Sequence, residues 1–364
     1  MRIGLDISIC TFNKAGSARY AHSLLQALQK LAAEESVTVV PLSLPAPFQA
    51  VAPGIKRKAV TLFWEVAYAP LWLPALARYH QLDVLHLTVP MPIGKFHCPV
   101  VTMIHDLIPI LFPQWFSFIM GVRLRRWIRY AAQHSTHLLT NSDCTARDLK
   151  EHVKPDVPIT TTYLGSYLDF PTAPRRAQEN LSLLEGRPYI LSVGTLEPRK
   201  NLRTVLDAYH LLQDRVNNPP NLMVVGATGW MADDVHGRAE QLGIADRVKL
   251  TGFVSDEQLQ TLYEQATMLV YPSLYEGFGI PPLEAMSSGC SVISSNVSSL
   301  PEVVGEAGIL IDPTDANALA NAMQNLLTDP AQASLLREKG YQQAAGFSWE
   351  RCAQETLGVY REVA

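Results

Sequence analysis

"TMLVYPSLYEGFGIPPLEAMSSG", residues 267–289, reads as strand, loop and helix in succession. The apolar run at its start is short and β-prone, two glycines and a double proline interrupt it, and the end returns to helical character. In an α/β chain such a loop follows the carboxyl end of a parallel strand, where these folds bind ligands. Gly277 and Gly279 allow positive φ and let backbone amides come close to a ligand. Pro281 and Pro282 fit a first helical turn, and the helix should stop near Gly289. The free N–H groups and dipole of residues 279–283 then make an anion site. Glu276 precedes it on the loop and Glu284 is expected in the first turn. An ionised carboxylate only accepts hydrogen bonds, so it suits hydroxyls and not phosphates. Two carboxylates around an anion site describe a ligand that is part polyol and part phosphate, as a nucleotide sugar is. The plainer alternative is a glutamate favoured by the helix dipole and another closing a turn.

The same alternation runs through the chain. "RIGLDISI", "VTVVPL", "DVLHL", "PVVTMIHD" and "HLLTNS" read as buried strands of a first domain. "YILSVG", "LMVVGA", "RVKLTG", "MLVYPS", "SVISS" and "GILID" form a second series, with helices such as "NLRTVLDAYHLLQD" between them. This βαβ order predicts an α/β fold with parallel sheets and right-handed crossovers. The polar, Pro-containing segment 166–180 is read as the linker. The domains are then 1–170 and 171–345, and 346–364 forms a last helix that starts at Ser348.

A chain of 364 residues is long enough for two such domains. The net charge of −4 gives no case for nucleic acid. The halves differ: residues 1–170 carry +5 and the rest −9. A basic first half suits an anionic partner such as phospholipid or a phosphorylated acceptor, and is equally an ordinary offset between domains. Five scattered cysteines without C-x-x-C spacing fit a reducing, cytoplasmic setting and no zinc site. The start reads as a strand and not as a signal peptide. The most apolar stretch, 62–77, is interrupted by Glu65, Pro70 and Pro74 and is not expected to span a bilayer.

Taken together, these residues resemble a family. "YEGFGIPPLEAM" resembles the paired-glutamate signature of family 4 retaining glycosyltransferases with the GT-B fold. "SVGTLEPRKNL" (192–202) resembles the element that carries their phosphate-binding lysine, and "LTGFVSDEQLQTLYEQA" their base-binding stretch. "VTMIHDLIPILFP" resembles a segment of mannosyltransferases that build bacterial polysaccharides. The four occur in the family's order. The resemblance implies two Rossmann-like domains facing across a cleft, with the donor on the C-terminal domain and most of the acceptor site on the N-terminal one. It implies metal-independent hexose transfer with retention, from a nucleotide sugar (GDP-mannose is the closest match) to a glycan or lipid-linked acceptor.

Carried over residue by residue, Lys200 matches the phosphate-binding lysine. The arginine usual after the glycine is Thr195 here, and Arg199 is the candidate to replace it. Glu276 and His105 would hold the transferred sugar, and Glu284 the ribose. Gly277, Phe278, Gly279 and Ile280 would line the donor. Phe253 and Val254 would meet the base through their backbone. Gly16 belongs to a Gly-rich loop after the first strand, in which Ala18 replaces a second glycine. Arg19 and Asp106 are acceptor-side candidates. A neutral His105 ring could donate to a sugar hydroxyl or steady positive charge beside the anomeric carbon. No metal or other cofactor is expected.

Residues 112–131 combine Trp115, Phe116, Phe118, Ile119 and Met120 with Arg123, Arg125, Arg126 and Arg129. This pattern fits contact with the inner face of a membrane, where lipid-linked acceptors lie, and fits as well a core helix whose arginines face water. Two other donors, UDP-glucose and UDP-N-acetylglucosamine, and a non-catalytic nucleotide-sugar or glycan-binding protein remain open. An NAD-dependent oxidoreductase lacks its G-x-G-x-x-G after the first strand.

Overall fold

Residues 1–11, 16–45, 60–92, 94–168, 186–227, 229 and 234–364 are described by the computed structural model. The chain divides into two units, Met1–Gly165 with Phe347–Ala364, and Ser166–Gly346. The linker read at 166–180 lies mostly outside the described residues, as does the start of the Gly-rich loop before Gly16.

In the first unit the strands are β1 (Arg2–Asp6), β2 (Thr38–Leu42), β3 (Val84–Leu87), β4 (Val100–Ile104), β5 (His137–Thr140) and β6 (Ile159–Thr161). They pair in parallel in the order β2-β1-β3-β4-β5-β6. Every residue of β3, β4 and β5 is buried, as strands covered on both faces require. Helices α1 (Gly16–Ala32), α2 (Val60–Tyr79), α3 (Phe118–His134) and α4 (Asp143–His152) follow the strands.

Helix α2 departs from expectation. Pro70 and Pro74 do not break it; residues Trp64–Trp72 are wound as a π-helix, and the helix continues to Tyr79. A proline has no N–H to donate and crowds the preceding turn, and the wider π turn takes up that mismatch. By length and composition α2 could cross a membrane. Its inner side belongs to the core of the unit instead: Trp64, Tyr68, Leu73 and Ala77 are buried. The Tyr68 hydroxyl donates to Asp6 Oδ1 at 2.9 Å and the Trp64 indole to Ser8 Oγ at 2.7 Å.

The second unit holds β7 (Tyr189–Val193), α5 (Leu202–Gln213), β8 (Asn221–Val225), α6 (Val235–Gln241), β9 (Val248–Gly252), α7 (Asp256–Gln265) and β10 (Met268–Tyr271). After these come α8 (Ile280–Ser287), β11 (Val292–Ser295), α9 (Leu300–Val304), β12 (Gly308–Ile311), α10 (Ala316–Thr328) and α11 (Pro330–Ala344). Its sheet is parallel in the order β12-β11-β10-β7-β8-β9. The direction of chain progression therefore reverses between β7 and β10, the place where doubly wound sheets open a crevice at their carboxyl ends.

The last helix, α12 (Trp349–Val363), belongs to the first unit. Ser348 caps it by accepting from Arg351 N at 3.1 Å. Gly165 packs so closely on Trp349 that an added Cβ would lie 2.6 Å from its backbone nitrogen. Tyr360 is fully buried and bonds His86 Nδ1.

Candidate active site

Three loops of the second unit meet at the carboxyl ends of β7 and β10. Gly194 ends β7 with φ +149°, and a side chain there would collide with Lys200, whose chain lies across it. A single 3₁₀ turn, Pro198–Lys200, presents Arg199 and Lys200. Asn201 follows in the left-handed region, φ +57°. Its amide donates to Pro272 O at 3.0 Å and Pro313 O at 2.6 Å, and Leu274 N donates to Arg199 O at 2.8 Å. These bonds fix the lysine turn against the loop after β10.

That loop delivers Glu276 into a cluster of buried charge. Lys200 Nζ lies 2.6 Å from Glu276 Oε1 and also donates to the Tyr271 hydroxyl. Tyr271 in turn donates to Glu276 Oε1 at 2.8 Å. Arg199 reaches Glu276 with Nη1 and Glu197 with Nη2, the latter at 2.6 Å. Burial alone would raise the Glu276 carboxyl, but Arg199, Lys200 and the bonds from Lys200 and Tyr271 prevail and hold it down at about 2. Burial lowers Lys200 to about 8, helped by repulsion from Arg199 and opposed by Glu276. The lysine therefore keeps its proton at neutral pH, at a cost that an added anion would relieve.

Helix α8 runs from Ile280 to Ser287, and Gly289 lies just beyond it with φ +74°. Gly279 uses the freedom a glycine allows, with φ +123°, whereas Gly277 does not take positive φ. Since Pro281 and Pro282 carry no N–H and Leu283 N bonds Gly279 O at 3.3 Å, Gly279 and Ile280 supply the donors at this end. The anion site expected over 279–283 is thus narrower. The Ser299 hydroxyl lies 2.9 Å from Glu276 O and 2.6 Å from Phe278 O. It meets carbonyls and leaves those amides uncovered. Glu284 stands in the second turn, not the first, because the helix opens at Ile280. It is buried, and Tyr263 donates to its Oε2 at 3.1 Å. Thr195 is exposed on the β7 loop. At the end of β9, Phe253 is 85% exposed and Val254 partly so.

Sequence reasoning missed Glu197, Tyr271 and Tyr263, which orient Arg199, Lys200 and Glu284. Only burial reveals them, since each looks like an ordinary loop or strand residue. Arg199 is spoken for by two carboxylates, so it fixes Glu276 more than it offers a free cation.

In the first unit His105 follows β4. Its Nε2 donates to Thr88 O at 2.9 Å, and Tyr20 packs edge-on to the ring at 4.9 Å. Burial lowers this histidine to about 4 against the opposing effect of the Thr88 bond. The ring is neutral, and with its N–H given to a carbonyl the other nitrogen, Nδ1, is an acceptor. The expected donor role is therefore reversed. Asp106 Oδ1 accepts from Ile108 N at 3.0 Å, the role of a turn cap. Gly16 opens α1, and Arg19 is half-buried in its first turn.

The lysine turn, the two glutamates and the helix end stand together at the switch point of one parallel sheet, and comparison with known proteins makes the chain a glycosyltransferase. The model for Glycosyltransferase Family 4 matches residues 15–169, and that for Glycosyl transferases group 1 matches 175–343. O-antigen chain mannosyltransferase B of Escherichia coli is 36% identical over 268 residues, covering 72% of this chain and 70% of that protein. The chain spans only 20% of the length of the serotype-specific mannosyltransferase WbdA of Escherichia coli, 36% identical over 167 residues. Among solved structures, sucrose-phosphate synthase from Thermosynechococcus elongatus aligns over 100% of this chain and 98% of that one, with a TM-score of 0.75 and 24% identity. A UDP-glucose complex of Anabaena Alr3699/HepE aligns over 100% of both chains, with a TM-score of 0.71 and 18% identity. The chain belongs to the family 4 glycosyltransferases, and its two parallel sheets are those of the GT-B fold.

Proposed function

We propose that this chain is a retaining mannosyltransferase that takes mannose from GDP-mannose and places it on a glycan or lipid-linked acceptor. The observation that carries the reading is the buried Lys200–Glu276–Arg199 cluster beside the donor end of α8. Lys200 and the amides of Gly279 and Ile280 would hold the diphosphate and stabilise the charge it gains as the glycosidic bond breaks. Glu284 would accept from ribose hydroxyls. Glu276 would accept from hydroxyls of the sugar, and on the first unit His105 offers Nδ1 as an acceptor for a hydroxyl.

A nucleophilic carboxylate must be free to attack, whereas Glu276 is tied by two cations and a tyrosine. This favours a front-face path. The bond from the anomeric carbon to the phosphate oxygen breaks, the acceptor oxygen bonds on the same face, and its proton passes to the departing phosphate. With Lys200 supplying the positive charge, no divalent cation is needed. The GDP choice rests on the names of the mannosyltransferase relatives. The bound UDP-glucose in a protein of like fold favours a second reading, a UDP-sugar donor. None of the five cysteines forms a disulfide, which fits a cytoplasmic enzyme, and a lipid-linked acceptor would bring it to the inner face of the membrane.

GDP release from GDP-mannose, with and without a chelator, tests the reading, and NMR of the product gives the anomer. Chelator-independent release and an α product are expected. A larger rise in melting temperature with UDP-sugars than with GDP-mannose would overturn the donor, and binding without turnover would overturn the enzyme.

A further inference from the structure

On the first unit, α3 turns apolar side chains to solvent. Phe118 is 83% exposed and Ile119 79%, while Gly121, Ile128, Ala131 and Ala132 of the same helix are buried. Phe118, Ile119, Val122, Arg123, Arg126 and Trp127 line an open groove of about 390 Å³ that Glu65 of α2 also borders. Their spacing in adjacent pairs four residues apart is that of one helix face. Apolar and basic groups therefore point the same way. A core helix with arginines in water would put them on opposite faces; here the buried side chains Ile128, Ala131 and Ala132 lie on the side of α3 away from the exposed Arg126 and Arg129.

Helix α2 extends the surface. Leu62, Val66 and Leu71 are exposed, spaced four and then five residues apart. The π winding over Trp64–Trp72 widens the turn, so that such a spacing keeps to one side. Glu65, between Leu62 and Val66, pairs with Arg123 at 3.0 Å and joins the two strips.

The charge is one-sided. No Asp or Glu occurs from 107 to 142, and α3 carries four arginines. Arg123 is paired with Glu65, and Arg125 donates to Pro109 O at 3.3 Å. Arg126 and Arg129 are exposed, and neither forms an ion pair among the described residues. A second copy docked on this face would set arginines against arginines.

We infer that this face lies on an anionic bilayer. Phe118, Ile119, Leu62 and Val66 enter the boundary between headgroups and acyl chains, and Arg126 and Arg129 meet lipid phosphates. The inference names the surface behind the membrane contact proposed above, but it uses only this unit's geometry. Vesicle binding is read without turnover, so its failure and that of the transferase reading are separable.

Co-sedimentation of the full chain with phosphatidylcholine vesicles, with and without phosphatidylglycerol, tests it. Binding is expected only with phosphatidylglycerol and should weaken in high salt. Each arginine near the surface is worth about fivefold in partitioning, so Arg126→Ser with Arg129→Ser should lower it about 25-fold. Phe118→Ser with Ile119→Ser should lower it at least about tenfold. Both double variants alter exposed side chains and should melt at the wild-type temperature. Equal binding to both vesicle types, or undiminished binding by the double variants, would overturn the inference. So would a wild-type chain that ignores vesicles but self-associates in sedimentation velocity, with the variants monomeric.

Discussion

Asp6 at the end of β1 and Glu276 after β10 are buried to nearly the same degree, yet their carboxyl groups behave in opposite ways. Burial pushes Asp6 up to about 6, and the hydroxyls of Tyr68 and Ser8 offset only part of that. Glu276, with two cations beside it, is held at about 2. Burial does not decide whether a carboxylate is charged; the neighbours do. The contrast extends to whole sites. At the end of the first sheet two histidines are neutral, beside Asp6 with its raised carboxyl: His86 is lowered to about 3 by burial and by the nearby His105, and His105 itself to about 4. Such a surface suits uncharged hydroxyls. The second sheet gathers ionised groups, a setting for a diphosphate.

The comparison breaks most visibly at Glu276. Glu276→Gln should reduce transfer about 10³-fold by removing a contact to the sugar, while GDP binds more tightly because Lys200 no longer has a competing partner. Steady-state rates and calorimetric titration check the two halves, and weaker GDP binding would mean the pair is not in competition with phosphate. Lys200→Ala should cost about 10² in kcat/KM. The pH dependence sharpens the same contrast. Lys200 loses its proton above about 8, so donor KM should rise there, whereas His105, neutral above about 4, should add no inflection between pH 5 and 8.

Glu197→Gln leaves Arg199 one anchor and should raise donor KM about tenfold with kcat little changed, by analogy with the loss of one charged hydrogen bond. Asp6→Asn should have the smallest effect on transfer and act on stability. The folded pKa of Asp6 is raised from 3.8 to about 6, so its contribution to stability is full below 3.8 and is lost as pH rises through 6. Relative to Asp6→Asn, the wild type should therefore melt progressively lower between pH 4 and 7.

Much of this was legible in the sequence because strand ends and punctuation coincide. Gly194, Gly279 and Gly289 each stand where the backbone takes positive φ; Gly194 closes the apolar run of β7, and the other two bracket α8. β6 escaped because three half-exposed residues, Ile159–Thr161, make no apolar run. The continuity of α2 through Pro70 escaped because only packing stabilises a π turn. The partners of the charged cluster escaped for a different reason. Tyr271 closes an apolar strand and Glu197 precedes a proline, and neither pattern says where a side chain will point.

The first sheet is walled by α12, which follows the second unit in the sequence, with Tyr360 seated on His86. On a ribosome, residues 166–346 are complete while the earlier-made unit still lacks that wall. The portion translated first is therefore the portion finished last, and its exposed flank must be kept from aggregation until residue 360 emerges. Deleting residues 347–364 should leave the β7–β12 sheet folded and the β1–β6 sheet open to proteases.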